Sequence, residues 1–538
     1  MPKRDIAKER KWKFKYDKDL SICSLHLDKW WHDIQVLSLL PGTRPRSAAI
    51  NAYLGARYSR SNKSIWNIAE EVLEKDIDPV ERLEAIFAGY GHKSVGDMAD
   101  IFVCIENVPI YFVDKFFYLN TLIAGQARST RYQDFSAPRF ILIPPRVGNK
   151  AVRDEYEEIL KEEMENYSSV LDETKVVLKN GFDIDDEDDQ CLCSRTFDTA
   201  RYLLPLGLKS SFGILMSARK WSEAIGLLSA SEEIVDNEIG LMLKELLSPS
   251  KGRRKNGYIP EAAELIRHTE PDTSRIKSTE EVLKYLKSII PPQGELKKTE
   301  SVLKDFFFED GVTQNEYLIS NYESLVNPLG STVEMTYENK DLIKVGEILN
   351  KYHDRNHMLG NIGYSKPYLF DGFCDIGALR DLNRHRSMSR FIPLFNGVNM
   401  ENELKRKDID CFYLCPYLYL NSVSKLRKTY IGYLGKTYTR IKQWRKSALK
   451  VMSRTVVDEY TKYLLPMAHA TRYRFGADID SLQYVANLRV RNGGHIAYRE
   501  LVYSWLARAS FEDPLLQKFL LDTEKPDPSS KDQFIDRK

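Results

Sequence analysis

From about Ser64 the chain places apolar residues at helical spacing, first through WNIAEEVL and then through PVERLEAIFAGYG. Pro79 suits an early helical position and Gly91 a stop. Residues 100–113 (DIFVCIENVPIYFV) carry β-branched and aromatic side chains up to Pro109. They predict a strand, or a buried run beside a helix. Residues 114–125 predict a helix that ends near Gly125, and about 154–179 a charged amphipathic one. The acidic run 181–190 lacks the alternating ligands, central glycine and terminal glutamate of a calcium loop. It reads as a solvated loop that can also supply a helix N-terminus.

The pattern repeats. ARYLLPLGLKSSF begins at Ala200 and TKYLLPMAHATRY at Thr461, with Pro205 and Pro466 261 residues apart. Each segment lies about 80 residues after a second shared landmark, FVDKFFYLNTLIAGQARSTRY from Phe112 and ALRDLNRHRSMSR from Ala378. Two landmarks at shared spacing predict a tandem duplication. The expected division is a leader over 1–40, a first unit over 41–250, a connector over 251–296, a second unit over 297–522 and a polar tail over 523–538 that frays. The connector carries the breakers SPSKGRRKNG, EPDTSR and IIPPQGE. The leader reads as solvated, with Trp30 and Trp31 docking it onto the body. The expected fold class is α/β (α+β), two copies of one unit with helices packed on a small sheet.

A length of 538 residues suits two domains better than one core. The net charge of +2 argues against a protein that coats DNA or RNA, while leaving room for a local basic pocket. No stretch predicts a membrane span or the apolar core of a signal peptide. The seven cysteines include the close pairs Cys191/Cys193 and Cys411/Cys415, which lack zinc-site spacing, so no metal is expected. Such a scattered set fits a reducing cytoplasm.

The densest candidate chemistry is basic. On a helix Arg380 and Arg384 share a face, and Arg386 and Arg390 form another i,i+4 pair. Guanidinium forks suit bidentate contact with phosphate, and Ser387 and Ser389 offer hydroxyl donors. The competing reading is a solvated charge run or an interdomain ion-pair face. No unbroken G-x-G-x-x-G loop accompanies these residues.

These segments resemble the flavin-dependent thymidylate synthases. That family's signature runs arginine-histidine-arginine, two residues, serine, one residue, asparagine, glutamate, one residue, serine, one residue, arginine, tyrosine. Arg384-His385-Arg386-Ser387-Met388-Ser389 matches its front, and the rest is missing there. In the first half Leu119-Asn120-Thr121 stand in the triplet's places, and the back survives as Gln126, Ser129, Thr130, Arg131 and Tyr132. Gly91-His92 and Ser94 resemble the family's glycine-histidine turn, and Met98 stands where a flavin-contacting histidine is expected. The arginine before the leucine-proline turn matches Arg201 and becomes Lys462 in the second half; a late arginine matches Arg489, against Leu228 in the first. Asp381 and Lys115 take the place of a glutamine, and His495 that of another.

The resemblance implies one deoxyuridylate site shared between copies, with complementary losses. Arg384 and Arg489, given catalytic roles, come from the second half; Ser129, Arg131, Arg201 and Gln126 come from the first. His385, Arg386 and Ser389, with His92 and Ser94, are the implied FAD contacts. The implied reaction is reductive methylation of dUMP to dTMP, with methylenetetrahydrofolate as carbon donor and NADPH as hydride donor, in a cytoplasmic homodimer of duplicated chains that binds neither membrane nor specific nucleic acid. The flavin carries the electron chemistry, while the protein orients and tunes charge. A flavin enzyme acting on another nucleotide, or a non-catalytic nucleotide- or flavin-binding scaffold, are the alternatives.

Overall fold

The computed structural model describes residues 12–17, 22–27, 35–39, scattered positions between 48 and 71, then 93–249, 262–273 and 368–536, with short gaps. The helical patterns expected over 64–91, the residues Trp30, Trp31 and His92, most of the connector, and residues 297–367 fall outside these.

Strand β4 (Asp100–Pro109) alternates, with Ile101, Val103 and Ile105 buried, as a half-covered strand requires. Pro109 ends it and helix α1 (Ile110–Leu119) follows at once. This helix starts earlier and stops sooner than expected. Residues 124–125, read as its end, fall in strand β5 (Ala124–Ala127) instead. Gly125 explains the difference, because a Cβ there would lie 2.5 Å from the Gly213 carbonyl oxygen of the paired strand. The predicted amphipathic helix is α2 (Lys150–Phe182), and the acidic run leads into α3 (Asp189–Ala200). Strand β6 (Lys209–Ser217) and helices α4 (Ala218–Ala230) and α5 (Ile234–Leu247) complete the first unit.

The second unit repeats this order: strand β7 (Tyr368–Asp375), helix α6 (Ile376–Leu382), strand β8 (Ser389–Phe391), helices α7 (Ser424–Ala448) and α8 (Arg454–Tyr463), strand β9 (Ala470–Ala477), then helices α9 (Ile479–Arg489) and α10 (Ile496–Glu512). Both sheets are antiparallel, and the order β4-β6-β5 in the first matches β7-β9-β8 in the second. Even a cap recurs: Ser217 accepts from the Lys220 amide at the start of α4, and Asp478 from the Ser481 amide at the start of α9. The chain is therefore two tandem α/β units of one plan.

The two YLLP segments meet at the centre, where Pro205 and Pro466 face each other in an antiparallel bridge. The hydrogen bonds around them come in mirrored pairs. Leu206 N donates to Leu465 O at 2.8 Å and Met467 N to Leu204 O at 2.9 Å; Gly207 N donates to Tyr463 O at 2.7 Å and Ala468 N to Tyr202 O at 3.0 Å. Helices α2 and α7 cross this boundary antiparallel, with Trp444 donating to Val152 O at 3.0 Å and Tyr430 paired with Thr174 at 3.0 Å. The hydrophobic core is continuous through both units.

Two ends differ from expectation. Strands β1 (Trp12–Asp17), β2 (Ile22–Leu27) and β3 (Gln35–Leu39) extend the first sheet as β1-β2-β3-β4, so the expected leader is part of that sheet. In the sequence WKFKYD the interleaved charges obscure the strand pattern. The tail also docks. Ser530 caps helix α11 (Lys531–Ile535), and buried Phe534 stacks on Phe182 with centroids 4.1 Å apart. One aromatic ring in a polar segment leaves no periodic signal, yet it suffices to anchor the end.

Candidate functional site

The boundary between the units gathers the arginines. Ser129 Oγ accepts from the Arg131 amide at 3.1 Å, forming a local turn after β5 that turns Arg131 inward. Arg131 grips Asp198 of α3 with Nε and Nη2 at 2.8 and 2.9 Å. It also reaches into the second unit, donating to the Tyr498 hydroxyl at 3.4 Å and to Gly493 O at 3.2 Å. Burial alone would push the Asp198 carboxyl up, but Arg131, His495 and Arg201 outweigh it and hold the group at about 2. Asp198 lies one helical turn before Arg201, a spacing that could have flagged it as a partner.

Arg201 is buried at the end of α3 and crosses the boundary as well. It donates to Gly377 O at 3.0 Å and lies 3.5 Å from Asp381 Oδ2. Thr130 Oγ1 receives Arg201 at 3.4 Å from one side and Arg380 at 3.1 Å from the other. Arg380 pairs with Asp114 at 2.8 Å.

From the second unit, Arg489 at the end of α9 donates Nε to His385 Nε2 at 2.6 Å and lies 5.3 Å over the Tyr498 ring. His385 is therefore neutral, with Nε2 as acceptor. Burial, then the Arg489 charge, pushes its imidazolium down to about 3. Arg384 lies over the Phe117 ring at 5.7 Å, and its pKa is lowered by burial and by neighbouring Arg380 and Arg489. Burial would raise Asp381, yet Arg201, Arg131, Arg489 and Arg384 together hold it well below the usual carboxylate range. Residues predicted from opposite halves thus surround one carboxylate. The ion pair of Asp381 is with Arg201, across the boundary, while Arg380 of its own helix pairs with Asp114 instead.

Among the described residues here, the six guanidiniums of Arg131, Arg195, Arg201, Arg380, Arg384 and Arg489 lie among the four carboxylates of Asp114, Asp198, Asp375 and Asp381. That excess of buried positive charge suits an anion. A chain of neutral polar groups backs it: Tyr202 hydroxyl lies 3.1 Å from His495 Nε2, and His495 Nδ1 lies 3.7 Å from Asp198.

The remaining candidates are more dispersed. Gln126 is exposed on β5, and Arg386 is exposed beside His385. Ser389 donates to Gly476 O at 3.4 Å on the rim formed by β8, next to half-exposed Phe391. Ser94 lies in the turn Lys93–Met98, which ends in exposed Met98.

The mirrored position has the opposite character. Lys115 stands where Asp381 stands, 266 residues earlier, and Lys462 stands where Arg201 does. Lys115 pairs with Asp236 and, at 3.0 Å, with Glu233; Lys462 meets Glu233 at 2.7 Å. Glu459, the counterpart of Asp198, accepts from the Ile234 amide at 2.9 Å and from the Tyr463 hydroxyl at 2.9 Å. The α1 and α6 starts differ by 266 residues but β5 and β8 by 265, so Arg384 lies opposite Tyr118 or Leu119.

Residues 44–251 match the family model described as thymidylate synthase complementing protein. A Chlamydia pneumoniae protein described as a UPF0159 protein is 21% identical over 484 residues, covering 85% of this chain and 84% of that one. Two solved structures of Helicobacter pylori thymidylate synthase X with FAD and dUMP are also similar. The first is 14% identical, covers 44% of this chain and all of that one, and has a TM-score of 0.27. The second is 12% identical, covers 42% of this chain and 96% of that one, and has a TM-score of 0.26.

Proposed function

We propose, from the premise that this chain is a divergent member of the flavin-dependent thymidylate synthase family, that its boundary site binds a deoxyuridine monophosphate and methylates it reductively to dTMP. The observation that carries the reading is that arginines of both units meet at the boundary: Arg131 reaches Tyr498, whose ring lies under Arg489, and Arg201 reaches Gly377 O and Asp381 of the second unit. A phosphate monoester needs several directed donors, and guanidinium forks supply them.

Bound FAD would supply hydride chemistry, with NADPH as donor and methylenetetrahydrofolate as carbon source. The rim fits such a cofactor in kind. Exposed Arg386 offers a cation for a pyrophosphate, half-exposed Phe391 an apolar face, and Ser389 a hydroxyl. Ser94, near Met98, is the first unit's candidate contact. Neutral His385 is held by Arg489 and so orients rather than titrates near neutral pH. Arg384 and Arg489 would stabilise negative charge developing on the uracil ring, while Arg131, Arg201, Ser129 and Gln126 hold the nucleotide. We place the protein in the cytoplasm as a homodimer; among the described residues no helix is long and apolar enough to cross a membrane.

The test is direct. Purified full-length protein should carry or take up FAD, its flavin spectrum should change on adding dUMP, and dTMP should form only when NADPH and methylenetetrahydrofolate are both present. Nucleotide-dependent spectral change without dTMP would instead favour a binding protein. Absence of both FAD and dUMP binding would remove the proposal.

A further inference from the structure

Asp381 is a carboxylate where an anion site should be open. It lies in α6 between Arg380 and Arg384, one turn from the latter. Arg201 reaches it from the other unit at 3.5 Å, beyond good hydrogen-bonding distance, and spends its short bond on Gly377 O. Asp381 Oδ2 and Arg201 Nε are both buried without a hydrogen-bond partner. A chain of contacts that does not involve Asp381 links the arginines of the two units: Arg131 to Tyr498, Tyr498 under Arg489, Arg489 to His385. The Arg489–His385 bond is short at 2.6 Å, whereas the Asp381–Arg201 ion pair is loose. Asp198, by contrast, is gripped by two short bonds and is a permanent counterion.

We propose that Asp381 sets the anion affinity of this site: a tethered carboxylate that occupies part of the anion position beside Arg201 and lowers affinity for any phosphate group, so that a ligand binds well only where its remaining contacts compensate. This rests on the nucleotide reading above for the ligand's identity, though not for its charge. The ligand class is a phosphate monoester bearing further hydrogen-bonding groups, such as a nucleoside monophosphate. Inorganic phosphate alone meets a site already partly neutralised. A like charge within a few ångströms in a buried setting changes ionic affinity by about tenfold or more. The partner arginines also explain why the carboxylate persists: without it, several buried cations would face one another.

The experiment compares full-length wild type with Asp381→Asn, which keeps shape and removes charge. Binding of inorganic phosphate, dUMP and deoxyuridine is measured by calorimetry. Asp381→Asn should bind inorganic phosphate and dUMP about tenfold or more tightly, with deoxyuridine changed little. Asp381→Glu, which keeps the charge, should stay near wild type. Unchanged or weaker phosphate and dUMP binding by folded Asp381→Asn overturns the proposal. If that variant is too unstable to titrate, its thermal midpoint is followed in rising phosphate. A larger phosphate-induced gain than wild type supports the proposal, and an equal or smaller gain overturns it. Tighter phosphate binding without any dUMP binding leaves the charge assignment standing and removes the nucleotide reading. Equal dUMP and equal phosphate binding in the two proteins does the reverse.

Discussion

Arg131 of the first unit and Tyr498 of the second meet at 3.4 Å, and that same tyrosine ring lies beneath Arg489. One phenol thus joins an arginine from each half. Truncating Arg131 removes a charge-assisted contact and should weaken dUMP binding by about tenfold or more. Tyr498→Phe keeps the ring under Arg489 and removes only the hydroxyl, so its loss should be smaller. Calorimetric titration of the two variants checks the order; a larger loss in Tyr498→Phe would contradict it.

The mirrored network should be structural. Lys115→Met leaves Glu233 with one cationic partner fewer and Asp236 without its lysine, both buried, which should cost about 3–5 kcal/mol of stability. Nucleotide binding by protein that remains folded should be unchanged. Urea denaturation and dUMP titration of the same preparation separate the two effects. A loss of nucleotide affinity with stability intact would make that position a second site.

The docked tail should matter for the site. Arg195 donates to Gly494 O and Asn492 O at 2.6 Å each, and to Phe534 O at 3.2 Å. It therefore ties the tail to the loop whose Gly493 carbonyl receives Arg131. Phe534→Ala should destabilise the protein by about 3 kcal/mol, as for other buried aromatic truncations. Its dUMP affinity should also fall, measured at a temperature where the variant is folded. Unchanged stability would show that the stacking on Phe182 contributes nothing.

Two buried histidines set an acid limit. Burial, aided by nearby arginines, pushes both His385 and His495 down to about 3, below an ordinary imidazole near 6.5. A base with a depressed folded value stabilises the fold above its unfolded value, and that contribution disappears as pH falls towards the folded one. Stability should therefore fall from about pH 6.5 downwards, by about 2 kcal/mol per histidine at pH 5. Urea midpoints at pH 7 and pH 5 measure it. His495→Asn should show a smaller drop than wild type; an equal drop would remove His495 from the account.

Much of this architecture was legible in the chain because duplication writes itself twice. The YLLP segments mark the duplication, and the complementary matches at Arg131 and Arg384 raise the expectation of a site shared between the copies. Local pattern failed where tertiary contact decides. Residues 124–125 look helical until the close strand at Gly213 is known, and the tail looks frayed until Phe182 receives Phe534. The spacing of Asp198 to Arg201 signals only a local pair; it carries no sign of Arg131, which folds back onto Asp198 from 67 residues away. The role of Asp381 needed the positions of four arginines from both units, which no spacing in sequence reveals.

The central claim is that the two units share one nucleotide site per chain. Its most direct measurement is calorimetric titration of dUMP into FAD-treated full-length protein, wild type beside Arg131→Ala and Arg384→Ala. The account predicts one dUMP per chain, with both variants losing about tenfold or more in affinity at that same site. Two equivalent dUMP molecules per chain, or wild-type affinity in folded Arg384→Ala, would contradict it.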